Sequence, residues 1–314
     1  MKAIVIQEPG GTENLQVQEL LTPTPAPNEV LIEVVALSIN PVDVKTRKGG
    51  SLYEKLKTEV GAVLGWDVSG RVAAVGNEVS RFAVGDEVFG MVNFPGNGKA
   101  YAEYVAAPET HLAKKPSAIS HTEAAAATLA ALTAWQVLVH EANVQRGQRV
   151  LVHAAAGGVG HFAIQMAKHL GATVIGTASA ANEAFILSLG ANEHIDYTRH
   201  NFEEVVQAVD VVLDPIGGEV TRRSVGVLKP GGVLISIVGG VKDYLQPLID
   251  EKGIRASNYL VHSSGEDMEQ LAQLLDTGVL KPVISHQYSF DQIAAAHQQV
   301  ESTHTRGKVV VTLH

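Results

Sequence analysis

A chain of 314 residues exceeds the roughly 250–300 at which a single hydrophobic core stops growing, so two domains are expected. With 46% hydrophobic residues, 18% charged residues and a net charge of −9, the composition is that of a globular protein. It excludes nucleic acid as the main partner, because neutralising phosphates takes a basic surface. The absence of cysteine excludes disulfides and thiolate metal sites.

The N-terminal MKAIVIQEPG has one lysine and a short apolar strand, unlike a secretory signal. No apolar run approaches the roughly 20 residues that cross a bilayer, so no membrane partner is expected, and the absence of cysteine fits a cytoplasmic protein. Residues 1–120 read as β-rich: short β-branched runs (Ala3–Ile6, Val30–Ala36, Gly70–Val75, Asp86–Met91, Tyr101–Ala106) stand between Gly, Pro and Asn turns. Pro23, Pro25 and Pro27 mark an extended surface loop. From His121 to His140 an Ala-rich stretch carries Leu129, Leu132, Trp135 and Val139 at helical spacing and predicts one helix.

From Arg149 strand and helix alternate. Strands are expected at 149–153, 173–177, 194–195, 210–213, 233–237 and 255–261, with helices near 158–170, 180–189, 202–207, 217–228 and 244–252. This is the order of a doubly wound dinucleotide fold. Beyond about residue 262 the rhythm stops. A helix (267–275), a loop, a helix (290–301) and a strand (308–313) are too few for a separate domain and are expected to return to the N-terminal one. The expected division is therefore 1–122 with 262–314, and 123–261.

The most informative segment is RVLVHAAAGGVG, residues 149–160. An apolar strand runs into a turn of small residues, and a helical pattern follows at once. In such a strand–turn–helix, Gly157 lets the backbone approach a pyrophosphate at the helix N-terminus, and Gly160 lets the helix lie close to the strand. Ala155 occupies the first glycine position of G-x-G-x-x-G. Ala155, Gly157, Gly158, Val159 and Gly160 are thus candidate cofactor contacts. About 20 residues on, where an NAD-binding unit places Asp or Glu for the ribose 2′-hydroxyl, the chain reads Gly176-Thr177-Ala178-Ser179-Ala180 with no carboxylate. Thr177 and Ser179 are candidates there, Ser179 as a donor to a 2′-phosphate. NADPH is the expected cofactor, with NADH possible. Asp214, Val238 and Gly239 follow the fourth and fifth strands, at the edge where open parallel sheets meet ligands. Asp214 equally suits a cap for the helix near Gly217.

Several motifs in order carry a resemblance: Asn40-Pro41-Val42-Asp43, Gly65-Trp66-Asp67-Val68-Ser69-Gly70, Val75-Gly76 through Val84-Gly85-Asp86-Glu87-Val88, Ala154–Gly160, and Gly307-Lys308-Val309-Val310. Over essentially its whole length the chain resembles the medium-chain dehydrogenase/reductase superfamily. The resemblance implies a discontinuous GroES-like β-rich catalytic domain and a six-stranded Rossmann domain. Where zinc-dependent members carry metal ligands this chain has Asn40, Trp66 and Leu129, and the four-cysteine zinc lobe is absent, so no metal is expected. The chain therefore resembles the zinc-independent quinone oxidoreductase group, which implies hydride transfer from NADPH to a quinone or an α,β-unsaturated carbonyl compound. A conjugated carbonyl accepts hydride once it is aligned and its developing negative charge is stabilised.

On that reading Asn40 is a candidate donor through its amide, and Tyr53 a pocket wall or proton donor. Asp43 orients neighbours or caps the turn after Asn-Pro, and Asp67 is a buried structural carboxylate. The resemblance places Thr133 against the nicotinamide and Tyr197 beside the 2′-phosphate, where Arg199 or His200 adds positive charge. Glu183 stands where the family often has lysine, which weakens NADP selectivity. The thirteen histidines, among them the pairs His161/His169 and His297/His304, read as scattered surface residues. The last Rossmann strand, 255–262 with Ile254 and Leu260 beside it, is expected at a sheet edge and to pair in a two-fold homodimer. An enoyl-thioester reductase of the same fold and a non-catalytic NADPH-binding protein are the alternative readings.

Overall fold

The computed structural model describes residues 1–50, 52–58 and 61–313. Strand β1 (Lys2–Ile6) is buried along Ala3–Ile6, pairs with β2 (Gln16–Glu19) on one side, and is antiparallel to both its neighbours. Strand β3 (Glu29–Ile39) follows the proline loop. Its Val30, Ile32 and Val34 enter one apolar cluster, where each large aliphatic side chain contributes about 1.5–3 kcal/mol by leaving water. Helix α1 (Pro41–Arg47) begins at once, with proline in its first turn, where no N–H is required. A short helix α2 (Tyr53–Leu56) and strand β4 (Ala62–Val63), the other partner of β1, come next. Strands β5 (Asp67–Val75), β6 (Glu87–Met91), β7 (Tyr104–Pro108) and β8 (Leu112–Lys114) complete the β-rich segment.

The helix expected over 121–140 is broken. Helix α3 (His121–Ala126) ends where the Thr128 hydroxyl bonds back to the Ala125 carbonyl at 2.8 Å. Helix α4 (Leu129–Trp135) starts afresh and runs into a π-helical stretch, Gln136–Glu141.

Strand β9 (Arg149–Val152) is followed by α5 (Gly158–His169), β10 (Thr173–Ala178), α6 (Glu183–Ser188), β11 (Glu193–Asp196) and α7 (Phe202–Val205). Then come β12 (Val209–Asp214), α8 (Glu219–Val227), β13 (Leu228–Ser236), α9 (Gln246–Lys252) and β14 (Arg255–Asn258). Their strand order is β11-β10-β9-β12-β13-β14, and every pairing is parallel. Val150, Leu151 and Val152 of β9 are wholly buried because a central parallel strand is covered on both faces.

The chain ends with α10 (Gly265–Asp276), β15 (Ile284–Ser289), α11 (Ile293–Glu301) and β16 (Lys308–Thr312). The stretch expected as a loop after 275 contains β15, whose ISHQYS lacks an apolar run because it is a largely exposed edge strand paired only with β16. Strand β16 lies antiparallel to β3, so the C-terminus joins the sheet β15-β16-β3-β5-β6-β8, with β7 also on β3. The chain divides into a unit of Met1–Leu132 with His262–His314 and a unit of Thr133–Val261. The sequence reading put the first division after residue 122. Helix α3 packs on β3, β5 and β16, which carries the first unit on to Leu132. The last position of that reading, His314, lies outside the described residues.

Candidate active site

In the first unit the sheet brings four segments to one buried point. The register pairs Val309 with Ile39 and Ser38 with Asp67, so the ends of β16, β3 and β5 lie side by side. Asn40 is 1% exposed, Asp67 0% and Lys308 3%. The Asn40 Nδ2 donates to Asp67 Oδ2 at 2.7 Å, and the Lys308 ammonium donates to Asn40 Oδ1. Lys308 Nζ lies 3.8 Å from Asp67 Oδ2, and Asp67 Oδ1 accepts the Leu129 backbone N–H at 2.9 Å. Asn40 therefore turns its amide into a buried network, in which Asp67 takes one of its two amide hydrogens. Asp67 is the buried carboxylate expected. Two of the three positions without metal ligands, Asn40 and Leu129, both bond to Asp67, and the third, Trp66, is its chain neighbour. The Trp66 ring packs edge-on against Phe94 at 5.1 Å and donates to the Gly96 carbonyl at 2.8 Å.

A second chain of polar groups adjoins the first. Asp43 is fully buried and accepts the Asn40 backbone N–H at 2.7 Å, which makes it a cap of α1. Burial pushes its pKa up to about 8, and Asp67 adds to the rise against the opposing backbone hydrogen bond and Lys308. The Tyr101 hydroxyl interacts with Asp43 and is hydrogen-bonded to His297 Nε2 at 3.0 Å. Burial pushes His297 down to about 3, with the Arg47 guanidinium acting in the same sense. Arg47, itself buried, bonds to Glu301, while its Nε and Nη1 have no hydrogen-bond partner among the described residues. Tyr53 is also buried, and its hydroxyl donates to the Gln7 carbonyl at 2.9 Å. That bond occupies the hydroxyl proton, so of the two roles read from the sequence, pocket wall or proton donor, the donor role is opposed.

In the second unit the turn after β9 takes the geometry the sequence requires. Gly157 is the N-cap of α5, and Gly157, Gly158 and Val159 are partly open. As first-turn residues, Gly158 and Val159 have no helical acceptor for their N–H groups, which is the arrangement that receives a pyrophosphate. A Cβ on Gly160 would lie 2.3 Å from the Ala154 carbonyl oxygen, so no other residue fits there. Ala155 is buried, and a Cβ on Gly176 would come within 2.9 Å of the Ala155 methyl. An alanine is accommodated at the first position because β10 offers a glycine opposite it.

Ser179 is half-buried at the end of β10 and accepts from Asn182 Nδ2 at 3.1 Å, which leaves its own proton to donate. Glu183 Oε1 lies 3.8 Å from His194 Nδ1, while His194 Nε2 bonds to the Ala178 carbonyl at 3.1 Å. Tyr197 and Arg199 are exposed, and Arg199 Nε stands 3.5 Å from Asp196. Val238 and Gly239 are accessible on the loop after β13, which the Ser236 hydroxyl shapes by accepting the Gly240 N–H at 2.9 Å.

Two further candidates, Asp214 and Thr177, engage their side chains within the fold. Asp214 is wholly buried; its carboxylate accepts the N–H groups of Ile216 and Gly217 at 2.8 and 3.0 Å and the Thr221 hydroxyl at 2.5 Å. It caps the turn into α8. Thr177 bonds to His153 Nδ1 at 3.1 Å, and His153 Nε2 bonds to Ser224 Oγ at 2.9 Å. Ser224 gives its only proton to the Val220 carbonyl, so the ring donates at Nε2 and accepts the Thr177 proton at Nδ1. Burial, which pushes His153 down to about 4, keeps the ring neutral. His153, His161 and His297 are all buried, a correction to the surface assignment made for His161 and His297; His169 and His304 are exposed. Thr133 is buried in α4. Lys308 and Tyr101 have no site role in the sequence reading, and His297 has only that of a surface residue. Lys308 stood within a quoted motif, but its partner Asn40 is 268 positions away.

Residues 26–117 match the family model described as alcohol dehydrogenase GroES-like domain, and residues 189–311 the one described as zinc-binding dehydrogenase. The chain is 36% identical over 321 residues to the NADPH-dependent alkenal/one oxidoreductase, chloroplastic, of Arabidopsis thaliana, covering 99% of this chain and 79% of that protein. Among solved structures it is similar to the quinone oxidoreductase of Coxiella burnetii (TM-score 0.94, 37% identity, 100% of this chain and 99% of that one). It is also similar to the Escherichia coli quinone oxidoreductase complexed with NADPH (TM-score 0.89, 28% identity, 100% of both chains). The donor set does not fit zinc: Asn40, Trp66 and Leu129 supply no imidazole, thiolate or carboxylate, and the Asn40 oxygen already faces an ammonium. Among the described residues no group of three or more His, Cys, Asp or Glu side chains is placed to hold a metal.

Proposed function

The chain belongs to the quinone oxidoreductase group of the medium-chain dehydrogenase/reductase superfamily, and from that membership we propose that it is an NADPH-dependent reductase of quinones or α,β-unsaturated carbonyl compounds. Bound NADPH supplies the hydride. The Gly158 and Val159 N–H groups would hold the pyrophosphate, Ser179 would donate to the 2′-phosphate, and Val238, Gly239 and Thr133 would serve the nicotinamide end. Asn40, Asp43 and Asp67 keep the frame of the unit assigned to substrate. Hydride addition leaves negative charge on the carbonyl oxygen, and a proton completes the reduction. No step runs through a metal.

The observation that carries this reading is the end of β10: a hydroxyl stands where an NAD-binding unit needs a carboxylate, beside a glycine turn with first-turn N–H groups open. Steady-state oxidation of NADPH and of NADH with benzoquinone and with methyl vinyl ketone tests it. Turnover with at least one acceptor, and kcat/KM about tenfold higher with NADPH, is expected. Tight NADPH binding without turnover would make the chain a binding protein. Turnover confined to an enoyl thioester would move it to the thioester reductases.

The same reading includes a homodimer through β14 and a cytoplasmic location. Strand β14 is an edge of its sheet, which supports the first. Among the described residues no helix is long and apolar enough to cross a membrane. The Arabidopsis relative is named as chloroplastic, so imaging a C-terminal fluorescent fusion decides the compartment.

A further inference from the structure

We propose that Lys308 is a positioning residue for hydride transfer, acting through Asn40 and Asp67. The inference rests on the oxidoreductase reading above and adds a residue to it. An ammonium group has only donors, so the Asn40 atom facing Lys308 must be the amide oxygen. The amide nitrogen then points at Asp67, at 2.7 Å, and the opposite flip of the side chain is excluded. Asp67 in turn holds the Leu129 N–H, the first of α4, at 2.9 Å. A carboxylate at that position suits the positive end of a helix. One turn further along α4 stands Thr133, the residue expected to meet the nicotinamide. A single buried cation thus governs the orientation of the Asn40 amide and, through Asp67, the seat of α4.

Stability alone does not account for this arrangement. A buried ion pair regains little more than its desolvation loss, and apolar residues of similar volume often serve the fold as well or better. Lys308 and Asp67 have almost no exposed surface and lie 3.8 Å apart, so the pair has the full desolvation penalty. What apolar residues cannot supply is the set of directional bonds to Asn40 and to the start of α4.

The test compares Lys308→Met, Lys308→Gln and the paired variant Asp67→Leu/Lys308→Met with the wild type. Steady-state kinetics with benzoquinone, NADPH Kd from the enhancement of nicotinamide fluorescence, and Tm are measured on each. The paired variant leaves no unmatched buried charge, so its Tm is expected within about 5 °C of the wild type, while its kcat falls about 30-fold and NADPH Kd changes less than about threefold. Lys308→Gln keeps a donor for the Asn40 oxygen and is expected to lose about tenfold less kcat than Lys308→Met. Wild-type kcat in a folded paired variant overturns the proposal, as does a Gln variant no better than Met or a rise in NADPH Kd that matches the loss of kcat. If the wild type turns over neither acceptor, the oxidoreductase reading itself fails, a result distinct from an active wild type matched by its variants.

Discussion

Asp43 is a carboxyl with no exposed surface and a pKa pushed up to about 8 by burial. In the unfolded chain it titrates near the ordinary aspartate value, about 3.9. Between these values the folded protein holds a proton that the unfolded chain releases, so the contribution of Asp43 to stability is complete at about pH 4 and declines as pH rises toward 8. Asp43→Asn keeps an oxygen for the Asn40 N–H and removes the titration. It should raise stability at pH 7 by about 2–4 kcal/mol and flatten the fall in stability between pH 4 and 8, as measured by urea unfolding across that range. A variant as pH-sensitive as the wild type would mean that Asp43 is ionised in the fold. Residue identity alone did not show this state. Asn-Pro-x-Asp reads as a cap, which Asp43 is, but the groups that act on its carboxyl, Tyr101, Asp67 and Lys308, lie far along the chain. The same distance hid Lys308 from Asn40 and His297 from Tyr101. Composition and spacing register neighbours in sequence, and these side chains have neighbours only in space.

Most elements of the dinucleotide-binding unit were legible because they carry an apolar run or face of their own, and the glycine turn names its position between β9 and α5. The broken helix over 121–140 was not legible, because the break depends on Asp67 taking the Leu129 N–H from 62 positions away. Strand β15 was missed for the opposite reason: an exposed edge strand needs no apolar alternation. At the element scale the decisive feature for cofactor choice is the end of β10. Ser179→Asp places a carboxylate where the 2′-phosphate is expected, so repulsion should lower kcat/KM for NADPH about 100-fold, while NADH gains an acceptor for its 2′-hydroxyl and changes less than about threefold. Parallel kinetics with the two cofactors check this. Equal losses with both would place the 2′ end of the cofactor elsewhere. Thr177 gives the internal contrast, since its hydroxyl serves His153, and Thr177→Val should leave NADPH Kd within about twofold while lowering stability by about 1 kcal/mol.

For the whole molecule, a sheet of parallel strands has two edges, and they are handled differently here. Strand β11 ends one edge with the polar EHID, whereas β14 ends the other beside Tyr259 and Leu260, the latter 63% exposed. Each edge leaves backbone N–H and C=O groups that water or another strand must satisfy. A two-fold axis at β14 would let two copies satisfy each other and cover Leu260 twice with one interface. The net charge of −9 opposes association at long range, so an interface of this kind depends on short-range burial and backbone pairing and should persist in moderate salt. Light scattering of the wild type should therefore give about twice the 33.2 kDa of one chain, and added salt should not dissociate it. Leu260→Glu introduces two facing charges across such an axis. It should yield a single-chain mass with unchanged far-ultraviolet circular dichroism and NADPH Kd within about threefold, because β14 is separated by β13 and β12 from β9, which carries the glycine turn, and Ser179 follows β10 on the far side of β9. A wild type of single-chain mass would remove the dimer, and a dimeric Leu260→Glu would place the interface on another face.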